Sequence, residues 1–396
     1  MNAEKKLPVE KKKIKLKYFI NYLLILVLLI PFTVTGLMGS VKGSTSLLLT
    51  QIAYSMILAV SLNLVVGFLG ELSLGHAGFM CVGAYLGGYF ANQLHAVIDS
   101  KLIVLILSML FGGLMAALFG LLIGLPTLRL KGDYLAIVTL AFGEIVRTIF
   151  MNQEMFGGAL GLDTQKYGKT LYIAALVMVL VTVFVAQNLM RSKHGRAIQA
   201  IRDNEIAARA MGVNVTYYKL VVFVIAAFFA GIAGVIYAHN TTPVDYGFFS
   251  FNYSIEILVM VVLGGMGNIT GSLLAAAVLT FINVKLTTQL SGDLAALKFL
   301  IYALILILLV MWNNAPKLAN LRERINLRNL VLWLKKTVFR LTHKTPEGGV
   351  EPPTNAAWDK IPTKIPMDSI LSTDITPDRT YEADKPQKPE KGGDRK

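Results

Sequence analysis

Four stretches of this chain put glycines and polar residues where an apolar pattern would otherwise run on. The first joins Ser61-Leu62-Asn63-Leu64-Val65-Val66-Gly67 to Gly70-Glu71-Leu72-Ser73-Leu74-Gly75-His76-Ala77-Gly78-Phe79. Unpaired backbone in lipid is costly, so broken chain at membrane depth must be shielded by protein or water. Polar residues at such depth mark a pathway, which makes Asn63, Ser73, Gly75 and His76 candidates for its lining. The other reading is a tight inner-side turn whose glycines serve close packing. His76 has no second ligand at useful spacing and makes no metal site.

The second stretch is a polar loop, 191–217. It reads as two short helices. Ile198 and Ile201 give the first an apolar side, Asp203 or Asn204 caps the second, and Gly212 is a left-handed stop. Such an element fits a groove on a soluble partner. Lying on the headgroups as an amphipathic linker is the alternative.

Glu144 and Arg147 form the third feature. They stand three apart on an apolar helix, so they share a face and can pair. The pair reads first as structural, then as part of a path lining. The fourth is Leu263-Gly264-Gly265-Met266-Gly267, a glycine-lined bend between membrane segments. It lacks the Gly-Lys-Ser/Thr ending of a phosphate loop, and no Walker A motif occurs in the chain. There is no Ser-His-Asp arrangement, no zinc spacing and no nucleophile elbow. The chain carries no catalytic set.

The elements around these residues are membrane helices. Only 16% of the 396 residues are charged and the mean hydropathy is +0.59. The net charge of +14 does not indicate nucleic acid, because Lys and Arg crowd into the N-terminus, one central loop and the tail. The lone Cys81 reads as a small packing residue. The expected fold is all-α and polytopic, with ten membrane segments, one or two of them broken or re-entrant. They are Tyr18–Met38, Leu47–Leu69, Gly78–Ile98, Leu102–Leu125, Tyr134–Met151, Leu171–Met190, Tyr218–His239, Phe251–Gly265, Ile269–Leu290 and Leu297–Trp312. Phe251–Gly265 is short for a crossing.

With the lysine-rich residues 1–17 inside, ten crossings leave Arg129, Lys131, the loop 191–217 and the C-terminus inside as well. Both termini are thus cytoplasmic. Residues 18–314 form the transmembrane domain. Residues 315–345 read as a basic amphipathic segment on the inner membrane surface, and 346–396 as a disordered tail.

Taken in order, the motifs resemble the permeases of branched-chain amino acid ABC importers, M-type subunit. Ser61-Leu62-Asn63-Leu64, Leu72-Ser73-Leu74-Gly75-His76-Ala77 and Tyr134 to Glu144 carry the match. So do Gly195-Arg196-Ala197, Asp203-Asn204-Glu205-Ile206-Ala207-Ala208, Gly212-Val213-Asn214, Ala230-Gly231-Ile232-Ala233-Gly234 and Leu263 to Gly267. The resemblance implies that Glu205, Ala207, Ala208 and Gly212, with Asp203, belong to a coupling element seated in an ATPase cleft. Gly195 and Arg196 would shape its approach. Ile206 follows the glutamate as an insertion relative to the short form of that motif. The implied partners are an H-type second permease, two ATP-binding subunits and an extracytoplasmic substrate-binding protein, in membrane lipid and without nucleic acid. No cofactor is implied on this chain; ATP is held by the partners. The place is the bacterial cytoplasmic membrane. Two rival functions are a urea or short-amide importer of the same class, and an ion-coupled secondary transporter.

Overall fold

The structure, a computed structural model, describes residues 43–289 apart from 131, with the isolated positions 304 and 307. The expected segments Tyr18–Met38 and Leu297–Trp312, the N-terminal 1–17, the amphipathic 315–345 and the tail 346–396 lie outside the described residues.

Among the described residues, six helices are long and apolar enough to cross a membrane: Thr45–Leu69, Lys101–Thr127, Asp133–Asn152, Thr170–Arg191, Val215–Asn240 and Ile269–Leu286. The described elements run in this order. Helix α1 (Gly43–Asn63) continues as a π-helical turn, Leu64–Leu69. Non-helical chain leads to α2 (His76–Val82), a second π turn (Gly83–Gly87) and α3 (Gly88–His95). Then come α4 (Lys101–Thr127), α5 (Asp133–Asn152) and α6 (Lys169–Arg191). Two short helices, α7 (Lys193–Asp203) and α8 (Glu205–Ala210), precede α9 (Val215–Asn240), α10 (Phe251–Gly264) and α11 (Ile269–Gln289). The expected single helix Gly78–Ile98 is therefore an interrupted one. At 14 residues, α10 spans about 21 Å at 1.5 Å per residue, short of a core about 30 Å thick.

Helix α1 is the centre of the bundle and is buried from Ile52 onward, enclosed by α6, α9, α10 and α11. Helix α4 explains why this is a membrane fold. Gly112, Gly113, Ala116, Gly120 and Gly124 lie on its buried side, against α9. Leu102, Ile106, Leu110, Leu114, Leu118, Leu121 and Leu125 face outward. Water would drive the leucines in; a lipid surround removes that drive and leaves close packing of small residues to decide.

The helix ends gather into two groups of loops. At one, the tip after α1, α7, α8, the start of α9 and the bend 265–268 meet. At the other, the loop 153–168 is stapled to α3 and to the chain after α9. Leu162 and Val244 form an antiparallel bridge, Asn92 Nδ2 donates to the Asp163 carbonyl at 2.7 Å, and His95 bonds Tyr167. Burial pushes the Tyr167 hydroxyl up to about 12, so it stays a neutral partner at physiological pH. Five rings, Tyr85, Phe150, Phe156, Tyr237 and Phe249, pack beneath these loops. The basic loop 191–217 belongs to the first group, the end expected from its positive charges to face the cytoplasm.

Candidate functional site

The first group of loops is built around Asn63. Its Nδ2 donates to Ser272 Oγ at 2.9 Å, and its Oδ1 accepts from the Gly267 nitrogen at 2.9 Å. One buried amide thus ties the end of α1 to the start of α11 and to the glycine bend. Gly67 must approach that bend closely: a Cβ there would fall 2.3 Å from the Gly267 nitrogen. Gly265 and Gly267 hold the bend with φ of 90° and 78°, values that side chains resist. Gly264 packs on the Gly271 backbone across it.

From this tip the chain turns back without helix. Its donors are met by hydroxyls of neighbouring helices: Leu74 N–H by Thr139 Oγ1 at 3.0 Å, Ala77 N–H by Ser254 Oγ at 3.1 Å. This is the protein shielding that broken backbone in a membrane requires. Gly75 lies against the Thr139 carbonyl, where a Cβ would come within 2.4 Å. His76 is buried; its Nε2 meets Ser61 Oγ at 2.8 Å while that hydroxyl donates to the Leu58 carbonyl. Ser73 Oγ is buried with no hydrogen-bond partner among the described residues.

The polar loop is two helices, each with the cap its sequence offers. Ser192 Oγ accepts from the His194 and Gly195 nitrogens at the start of α7. Asn204 Oδ1 accepts from Ala207 N at 3.0 Å and caps α8. Gly212 ends it at φ 83°. Gly195 turns the chain tightly: a Cβ would lie 2.3 Å from the Met190 carbonyl oxygen. Ile198, Ile201 and Ala208 face inward, while Arg196, Asp203, Ala207 and Gly212 are exposed. Two large apolar residues stand out in solvent here, Ile206 at 79% and Met211 at 84% exposure.

Three charged residues outside the expected set join this element to the tip of α1. Arg202 Nη1 donates to the Gly67 carbonyl at 2.6 Å. Lys219, nearly sealed from solvent, bridges Glu71 and Glu205, the latter at 3.3 Å. Glu205 also pairs with Arg209 at 2.9 Å, so two carboxylates meet two cations. Arg209 is exposed and its pair adds little, whereas removing a partner of the buried Lys219 costs up to about 3–5 kcal/mol, because the remaining charge is stranded. In sequence Glu71 belongs to the broken stretch, Arg202 to the polar loop and Lys219 to the expected span Tyr218–His239, and nothing in their spacing links 71, 205 and 219.

Glu144 and Arg147 do pair, with Arg147 Nε donating to Glu144 Oε2 at 2.9 Å. The other carboxylate oxygen accepts from Phe251 N at 2.9 Å, the first free donor of α10. The pair sits toward the opposite end from the polar loop 191–217. Beside it runs an open groove of about 490 Å³ along α5, lined by Glu144, Ile145, Thr148, Ile149, Asn152 and Gln153. Glu256, inconspicuous in the sequence, accepts from Asn283 Nδ2 at 2.8 Å between α10 and α11. Groups of three or more metal-ligating residues are absent among the described residues.

Residues 44–310 match the family described as branched-chain amino acid transport system, permease component. The chain belongs to this permease family. The LivM permease protein of the high-affinity branched-chain amino acid transport system of Escherichia coli K12 is 33% identical over 81% of this chain and 79% of its own. A probable LivM of Methanocaldococcus jannaschii is 29% identical over 61% and 80%. The ribose import permease RbsC of E. coli K12 is 26% identical over 67% and 84%. No solved structure matches the chain. As a permease of this family with several apolar helices of spanning length, it is a multi-pass protein of the bacterial cytoplasmic membrane.

Proposed function

We propose that this permease is the M-type transmembrane subunit of an ATP-driven importer of leucine, isoleucine and valine. It works by alternating access, with a second permease completing the passage, two separate ATPases supplying energy and a binding protein delivering the amino acid. The observation that carries the coupling to ATPases is the α7–α8 element. It is rigidly capped, fixed to the bundle at its inner face, and presents Ile206 and Met211 to solvent among charged residues. Exposed apolar groups on a cytoplasmic element are the signature of a surface covered by a partner. The amino-acid assignment follows the roles of the two LivM relatives.

The polar face of α5 supports a passage on that side. Helix α4 shows lipid an unbroken row of leucines, whereas α5 shows Glu144, Thr148 and Asn152. Lipid disfavours such groups; water and a facing subunit do not.

The test is purification in mild detergent followed by uptake in vesicles. A second permease and two ATPases should come along, and leucine uptake should need ATP and the binding protein. Uptake of urea in place of leucine would move the substrate to short amides. Uptake that survives without ATP on a proton gradient would make it an ion-coupled carrier. Glu205→Lys and Gly212→Pro should each abolish uptake while the protein still reaches the membrane. Gly212 holds φ 83°, which proline, fixed near about −65°, cannot adopt. Wild-type uptake in both variants would overturn the placing of the coupling element.

A further inference from the structure

If ATPases push on α7 and α8, the push must reach the broken end of α1; beside the apolar packing of Ile198 and Ile201, two polar ties reach it. The Gly67 carbonyl lies at the end of the π turn, among the last carbonyls that a helix leaves without partners. Arg202, in the last turn of α7, takes it at 2.6 Å. Four residues on, Glu71 meets Lys219, whose ammonium also holds Glu205 at the start of α8. Both cations thus tie the solvent-exposed element to one short window, 67–71. One tie would act as a pivot; two at separate points resist rotation as well as separation. That window leads directly to Ser73, Gly75 and His76, and Asn63, one turn before it, holds the glycine bend of the opposite break.

We propose that Lys219 and Arg202 are transmission residues: they make α7–α8 and the broken tip of α1 move as one body, so that displacement of the docking element opens or closes the gate. This rests on the importer reading above. A ligand, here the closed ATPase pair, shifts a gate only through contacts that differ between its states. Without the two ties the element could move and leave window 67–71 behind. Both residues are positioning residues; neither needs to touch the solute.

The experiment uses the complete reconstituted importer and reads leucine taken up per ATP hydrolysed. Lys219→Met should assemble and hydrolyse ATP but lose about ten- to hundredfold in that ratio, within the usual range of a coupling between sites. Lys219→Arg, which can still bridge both carboxylates, should restore most of it. An unchanged ratio in Lys219→Met, or no rescue by arginine, overturns the proposal.

A second pair of variants decides if Lys219→Met fails to assemble. A Cβ at Gly70 would lie 3.6 Å from the Arg202 Cβ, within the range of about 3.5–4.5 Å for a disulfide. The native Cys81 is buried and the sole cysteine, so it does not compete. Gly70→Cys with Arg202→Cys should be poorly coupled when reduced and regain coupling when oxidised, since the cross-link replaces the lost tie. Gly70→Cys alone is the control for strain at φ 83°. If oxidation blocks uptake, the two elements must slide past each other and the proposal is wrong. If wild-type protein carries no ATPases or transports without ATP, the importer reading fails instead, and the two failures are distinct.

Discussion

Asn63 shows how much one side chain can decide in a bundle of this kind. Its amide meets a donor and an acceptor from two parts of the chain about 200 positions away. Asn63→Leu keeps the volume and removes both bonds, leaving the half-buried Gly267 nitrogen without its acceptor. A stranded buried donor costs about 1–3 kcal/mol. We expect a lower melting temperature in detergent and faster proteolysis at the 265–268 bend. Gly67→Ala tests the same contact from the other side. Its methyl would press on the Gly267 nitrogen, and overpacking of that order costs about 1–3 kcal/mol. Equal stability of both variants and wild type would mean that the bend is held elsewhere.

Helix ends obey local rules, and local rules can be read from residue types alone. Asn204 and Gly212 start and stop α8 as residues of their type do, and the short reach of Phe251–Gly265 announces a partial crossing. Interruptions within helices are not legible in that way. The π turn Gly83–Gly87 lies inside an apolar run whose glycines suit helix and break alike. It forms where Gly83 meets Gly231, and that contact joins residues far apart in the chain. Lys219 is hidden for the same reason: its charge is read from the sequence, its burial between Glu71 and Glu205 only from the fold. The spacing of Glu144 and Arg147 is enough to pair them, yet the second task of Glu144 needs the start of α10 beside it. That task can be separated. Glu144→Gln keeps an oxygen for the Phe251 nitrogen and loses the ion pair; Glu144→Ala loses both. Thermal denaturation should rank Ala below Gln by about 1 kcal/mol, the usual worth of a helix cap. At the other end of the protein, Ile206→Asp should leave stability unchanged, since the side chain is 79% exposed. ATPase subunits should then no longer co-purify; undiminished co-purification would show that Ile206 lies outside the docking surface.

Across the whole bundle the outward faces differ, and that difference assigns the surroundings of each helix. Helices α4 and α6 present Leu114, Leu118, Val177, Val181 and Phe184. Helix α5 mixes Ile145 and Ile149 with Glu144, Thr148 and Asn152 on one stripe. Glu144 is neutralised by Arg147 and Phe251 N, and Thr148 and Asn152 bond carbonyls of their own helix, yet a row of polar groups at this depth is more often found facing water or protein than lipid. The stripe also starts beside α10, the short apolar helix, where Glu144 joins the two helices. We propose that a passage shared with a second permease lies here and that the leucine-rich face of α4 meets lipid. Single cysteines test the division in the assembled importer. Thr148→Cys and Asn152→Cys should react with a small water-soluble thiol reagent, and the modification should block leucine uptake. Leu114→Cys should resist that reagent, react with a lipid-soluble one, and keep its uptake when modified. Equal reactivity of the two faces toward the water-soluble reagent would place water along α4 as well and remove the basis for putting the passage at α5.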